Sequence, residues 1–149
     1  MNREILFRGK RVDNDEWTEG YLFKIWNRTF LLWGMTGDVP NMVEVKPETV
    51  GQFTGLTDKN GKKIFEGDIV KVTYTEQRQY QGVSYQDEHS RVEEVIYNEK
   101  SACFMLKIMC EDIPLYRPLH NFGSLANIKE LKAIGNIYDN PELLKVGND

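Results

Sequence analysis

One stretch, Val50 to Tyr74, constrains the fold more than any other part of the chain. An apolar, threonine-rich run (Val50, Phe53, Thr54, Leu56, Thr57) leads into Asp58-Lys59-Asn60-Gly61. Asn-Gly is the dipeptide of a type I′ hairpin turn, which needs positive φ at both central residues. Lys62-Lys63-Ile64-Phe65 restarts an extended run, Glu66-Gly67-Asp68 makes a second tight turn, and Ile69 to Tyr74 alternates as a strand. Short extended runs separated by tight turns are the pattern of an antiparallel β domain.

The flanks carry the same pattern. Ile5-Leu6-Phe7 opens the first strand, and Gly9 inside it predicts a bulge or a close backbone approach. Asp13 to Glu16 is a turn by composition. Trp17 to Trp26 reads as a strand in which Trp17, Glu19, Tyr21, Phe23 and Ile25 share one face, mostly apolar and so assigned to the core. Asn27-Arg28 turns the chain into a buried strand, Thr29 to Trp33; Gly34 to Pro40 is a loop, and Met42 to Val45 a short strand. Thr75 to Ser90 has four glutamines and hardly an aliphatic residue, so it is either a long exposed hairpin tip or a mobile insertion. Arg91 to Tyr97 and Ala102 to Met109 form a hairpin, and Ile113 to Phe122 is irregular. Asn127 to Glu130 is a candidate helical turn, Leu131 to Tyr138 is the last strand, and Asn140-Pro141 starts a helix.

These elements predict an all-β chain with minor helix, a small barrel or meander. Glu66-Gly67-Asp68 feeding an alternating strand is the opening of an SH3-like barrel, which the central and C-terminal part is expected to form. The organisation that follows is one domain over residues 1–149, with an N-terminal β lobe over about 1–48 and the barrel over about 49–149. The polar insertion falls at about 75–90.

Composition bounds the function. The chain has 149 residues, a net charge of −4 and a pI near 5.3, so a general grip on polyanions is not the expectation. Cys103 and Cys110 are seven apart and point to opposite faces of a strand, which is poor geometry for a disulfide; their spacing is not a zinc spacing either. They read as buried, reduced thiols of a cytosolic protein. No apolar run approaches the ~20 residues of a membrane span, and Met1 to Glu4 leads straight into a strand pattern, so the chain is expected to stay in the cytoplasm.

The sequence Val50-Gly51-Gln52-Phe53-Thr54-Gly55-Leu56, followed by Asp58 to Lys62 and by Ile64 to Val70, resembles the YopX family of phage and prophage proteins. So do the opening Phe7-Arg8-Gly9-Lys10, with Trp17 and Gly20 after it, and the close, Ile134 to Leu143. The resemblance runs from end to end. It implies a small phage-encoded protein of a bacterial host cell, self-associating, with no established activity and no catalytic residues to carry over.

Candidate chemistry is sparse. The Gly51/Gly55 spacing lacks the Gly-Lys-Ser/Thr and the helix of a phosphate loop. Asp58, Glu66 and Asp68 suggest a carboxylate cluster, yet each lies beside a turn glycine, where acidic residues serve backbone geometry. His89 and His120 have no nucleophile at a recognisable spacing. The chain is therefore not expected to be an enzyme, and no cofactor or metal is implied. A binding surface is the better candidate. Lys59, Lys62, Lys63 and Lys71, with Arg8, Lys10 and Arg11, supply charge, while Trp17, Phe53 and Phe65 supply rings for stacking. The competing reading is that lysines beside a hairpin tip keep it soluble and guard its edge. The leading expectation is a β-rich binding or assembly module that forms homo-oligomers and meets an unidentified protein partner, through aromatic residues of the N-terminal strands that include Trp17, Trp26 and Trp33. A nucleic-acid-binding SH3-like barrel comes second, and a hydrolase with an unrecognised site third.

Overall fold

The computed structural model describes residues 1–119 and 127–146. The chain is all-β, and it divides into two compact units, one over Met1–Leu56 and one from Thr57 onward.

The first unit is a meander. Strands β1 (Phe7–Lys10), β2 (Trp17–Ile25), β3 (Arg28–Thr36) and β4 (Val39–Glu44) follow one another by hairpins. After a single 3-10 turn, Pro47–Thr49, β5 (Gly51–Thr57) returns beside β1 and gives the order β4-β3-β2-β1-β5. Thr49 ties the return: its hydroxyl accepts the Lys10 N–H at 2.9 Å and donates to the Lys46 carbonyl at 2.7 Å. Gly9 is the close approach that its position predicts, because a Cβ there would meet Val45 Cβ at 3.1 Å. Gly20 is tighter, with the Leu32 carbonyl oxygen 2.6 Å from where its Cβ would stand. Leu6, Leu31, Val45 and Phe53 are the buried apolar side chains of this unit.

Two expectations fail here. The face of β2 assigned to the core is the outer one: Tyr21 is 59% and Ile25 40% exposed, while Gly20 on the other face is buried. Both faces of β2 carry apolar residues, so alternation alone does not say which one turns inward. Gly34 to Pro40 is not a loop either. β3 runs through Gly34 to Thr36, and only Gly37-Asp38 turns the chain back into β4. The ladder absorbs the extra residue as an irregularity between Leu32 and Gly34, at Trp33.

The second unit contains β6 (Lys63–Phe65), β7 (Asp68–Tyr80), β8 (Val83–Asn98), β9 (Cys103–Cys110), β10 (Ile113–Pro118), β11 (Asn127–Asn136) and the short helix α1 (Leu143–Val146). Its antiparallel sheet has the order β10-β9-β8-β7-β11. The inward alternation of β7 buries Val70, Val72 and Tyr74, and Val95, Leu106 and Leu131 join them from β8, β9 and β11. Burial of each such side chain contributes ~1.5–3 kcal/mol.

This sheet is open, so the expected SH3-like closure into a barrel does not occur. Edge strand β10 holds Pro114 and Pro118, which have no N–H to offer a closing partner. The polar stretch Thr75 to Ser90 takes the first of its two readings. It is the distal part of the β7–β8 hairpin, paired continuously from Ile69 with Glu94 to Tyr80 with Val83. The type I′ pair of positive φ angles lies at its tip, 49° at Gln81 and 81° at Gly82. At Asp58–Gly61 only Gly61 has positive φ (78°), and its N–H bonds the Asp58 carbonyl at 3.0 Å. That turn is therefore not type I′, because Asn60 keeps an ordinary φ.

Ile113 to Pro118 is a strand rather than irregular, paired with β9 along its whole length. Asn127 to Glu130 is the start of β11 rather than a helical turn, since β7 pairs it into the sheet at Tyr74 and Thr75. The helix start expected at Asn140-Pro141 leads to the single turn α1. Cys103 and Cys110 are both free thiols, but neither is buried: they lie at the two ends of β9, Cys103 half-buried and Cys110 exposed.

Candidate functional site

The residues expected to bind are divided between the units. Trp17 and Phe53 belong to the first, and Phe65 and the four lysines to the second. Phe53 is 7% and Phe65 2% exposed, so both rings are core and present no face for stacking. Trp17 is half-buried and does meet cations: the Arg8 guanidinium carbon lies 4.8 Å and Lys10 Nζ 5.5 Å from its ring centre. Lys59 Nζ is 2.7 Å from Glu130 Oε1. Lys71 stands opposite Lys132 across the β7–β11 ladder, Lys62 is exposed and Lys63 half-buried. The lysines thus fall on the turn before β6, on β6 and on β7, and Lys59 is neutralised by Glu130.

The acidic residues of the organising stretch have structural duties. Asp58 Oδ1 accepts the N–H groups of Asn60 at 2.8 Å and Lys62 at 3.0 Å, and Oδ2 accepts that of Ala133 on β11 at 3.1 Å. Burial pushes its carboxyl up, the backbone bonds from Ala133, Lys62 and Asn60 pull it down, and the bonds win. Asp68 Oδ2 accepts the Phe65 N–H at 2.8 Å and closes the Glu66-Gly67 turn. Among the described residues, no three His, Cys, Asp or Glu side chains gather as metal ligands would. His120 lies outside the described residues.

Sequence reasoning missed Glu93. Its carboxyl is fully buried on the inner face of β8, where Oε1 accepts the Tyr74 hydroxyl at 2.8 Å and an N–H of Arg117 from β10. The Arg117 guanidinium lies over the Tyr74 ring, 4.1 Å from its centre, and the His89 ring lies tilted against Tyr74 at 5.4 Å. Glu93 Oε2 is buried and meets no hydrogen-bond partner among the described residues. Burial pushes this carboxyl up to about 7, with Arg91 pulling weakly the other way, and burial lowers Arg117 to about 10. The signal was present in the alternation: Glu93 has the parity of Val95, which is core.

The outer face of β2, β3 and β4 is the largest feature that sequence reasoning misplaced. Register puts Tyr21, Leu32 and Met42 side by side, and Phe23 beside Phe30, whose rings stack at 5.4 Å and 17°. Tyr21, Ile25, Met35 and Met42 are 40–59% exposed. Trp33, at the irregularity, is 50% exposed, and Trp26, in the β2–β3 turn at φ 54°, is 89% exposed. Arg28 caps the face, its guanidinium 5.1 Å from the Phe30 ring centre and 2.6 Å from Glu44 Oε2.

The YopX protein family matches residues 6–145, nearly the whole chain. The chain belongs to the YopX family. A crystal structure of protein EF1440 from Enterococcus faecalis is similar over 96% of this chain and 99% of that one, at 23% identity and a TM-score of 0.49. No curated protein matches the chain. The residues that carry the YopX resemblance in the second unit tie its backbone together. Lys59 N–H bonds the Leu131 carbonyl at 3.0 Å, Gly67 N–H the Val95 carbonyl at 2.8 Å, and Ile137 N–H the Gly67 carbonyl at 2.9 Å. Asn136 Oδ1 accepts the N–H groups of Tyr138 and Asp139, both at 3.0 Å. These residues of the YopX chain hold backbone together. No helix among the described residues is long and apolar enough to cross a membrane.

Proposed function

We propose that this YopX-family chain is a phage or prophage accessory protein of the bacterial cytoplasm, a β-rich binding and assembly module rather than an enzyme. It self-associates through the outer face of β2, β3 and β4. Family membership supports the phage-type reading. The exposed face with Tyr21, Ile25, Met35 and Met42 carries the assembly reading. Tyr, Trp, Phe, Met and Arg are the residues enriched at the centres of protein interfaces, and this face has all five types within three adjacent strands. Edge strand β4 contains Pro40, which disfavours growth by strand addition and leaves the face as the means of contact.

Light scattering across a dilution series tests it. The expected result is a mass of two or more subunits that falls toward one in Tyr21→Lys and Met42→Lys, with circular dichroism unchanged. A monomer mass that stays constant on dilution and concentration overturns the proposal.

A further inference from the structure

An unpaired strand edge is a template for another strand, and chains block such edges with proline, lysine or irregularities. Three strands here carry those blocks. β4 has Pro40, and β10 has Pro114 and Pro118. β11 has two register irregularities together with Lys129 and Lys132. β8 has none of them along the distal hairpin. β9 pairs with β8 from Glu94 to Asn98, and from Val83 to Glu93 β8 pairs with β7 alone among the described residues. That stretch contains no proline and no lysine, and its ladder with β7 runs without a register shift.

The turn fixes which backbone groups the edge offers. Tyr80 and Val83 flank the two-residue loop Gln81-Gly82 and are its hydrogen-bonded pair, so by alternation the N–H and C=O groups of Gln86, Glu88 and Ser90 point away from β7. The arm is held extended from within: an Arg78 N–H bonds Glu76 Oε2 at 3.1 Å, and Arg78 Nε lies 3.7 Å from Asp87 Oδ2. Beyond them Tyr80, Val83 and Tyr85 share one face of the ribbon and are 47–66% exposed. Two strands by themselves are marginal in water, whereas further strands with an apolar face stabilise a sheet.

We propose that the β8 edges of two copies pair antiparallel about a two-fold axis at His89, so that the two arms become one four-stranded sheet. Charge selects both the occupant and the register. Identical antiparallel edges meet about a two-fold, with residues of equal parity opposite each other. An axis at Asp87 or Glu88 sets identical carboxylates opposite each other, one at Ser90 sets Asp87 opposite Glu93, and one at Gln86 makes no ion pair. At His89, Asp87 of each copy faces the exposed Arg91 of the other, and Glu88 faces Ser90. The paired stretch is short, so it forms within the assembly made by the outer face of β2, β3 and β4 and rests on that reading.

The test is crosslinking of the full chain under mild oxidation, mapped by mass spectrometry. At the axis the two positions 89 form a pair without hydrogen bonds, with Cα atoms about 4.5 Å apart, a separation that a disulfide spans. His89→Cys is expected to give a covalent dimer in a yield several times that of Ser84→Cys, which lies off the axis. Added to His89→Cys, Asp87→Arg or Arg91→Asp alone is expected to abolish the crosslink, and the two together to restore it. A crosslink no stronger than that of Ser84→Cys, or a double exchange that does not restore it, overturns the arm pairing. If the charge variants do not fold, the comparison of His89→Cys with Ser84→Cys decides alone. Light scattering of the wild type then separates the two readings: with no crosslink, a multimeric mass leaves assembly through the outer face standing, and a monomeric mass removes both.

Discussion

Removing the Asp58 carboxylate is the sharpest test of how the family signature works. Asp58 is 7% exposed and holds three backbone N–H groups, two in its own turn and one on β11. In Asp58→Ala the part-buried Ala133 N–H on edge strand β11 loses its acceptor, a loss of ~1–3 kcal/mol. Asn60 and Lys62 are exposed, so water replaces the carboxylate there and each bond lost costs only ~0.5–1 kcal/mol. The expected destabilisation is about 3 kcal/mol. With a urea m-value of ~2 kcal/mol/M, the midpoint drops by about 1.5 M. Asp58→Asn keeps one acceptor oxygen and is expected to lose about half as much. The depressed carboxyl also sets a pH signature. Its stabilisation is present above the unfolded value of 3.8 and is lost as pH falls through the lower folded one. Urea titration followed by circular dichroism measures the effect. Trp17, Trp26 and Trp33 all lie in the first unit, so tryptophan emission reports that unit separately. A midpoint within ~0.3 M of wild type for Asp58→Ala would refute the assigned role of the carboxylate.

Gly61→Ala is expected to cost ~1 kcal/mol because of its positive φ, and Asn60→Ala less than ~0.5 kcal/mol; equal costs would restore the type I′ reading. Gly20→Ala forces a Cβ to within 2.6 Å of the rigid Leu32 carbonyl oxygen and is expected to cost ~2–3 kcal/mol, read from the tryptophan transition. A shift below ~0.5 kcal/mol would show that β2 and β3 separate easily. Short DNA or RNA is expected to give no salt-sensitive electrophoretic shift, since Lys59 is paired with Glu130 and the net charge is −4. A shift that weakens with salt would revive the lysine-bearing turn as a binding site.

The sequence by itself determined the class, the antiparallel pairing and most of the turns. The reason is local: period-2 alternation, Gly at positive φ and Pro at strand edges act within a few residues. The YopX signature was legible for the same reason in part, because Asp68 and one oxygen of Asp58 serve adjacent backbone. Tertiary structure decided what alternation leaves open. β2 has apolar residues on both faces, and only the burial of Leu31, of Gly20 and of Val45 against Gly9 shows that Tyr21, Phe23 and Ile25 lie outside. Asn127 to Glu130 had local helical signals, but pairing with β7 made it a strand. Thr75 to Ser90 lacks apolar residues, yet backbone pairing and the Gln81-Gly82 turn extend it as a ribbon. Glu93 depends on distance most of all. Its partners Tyr74 and Arg117 lie 19 and 24 residues away, and only the sheet order brings them to one carboxyl oxygen.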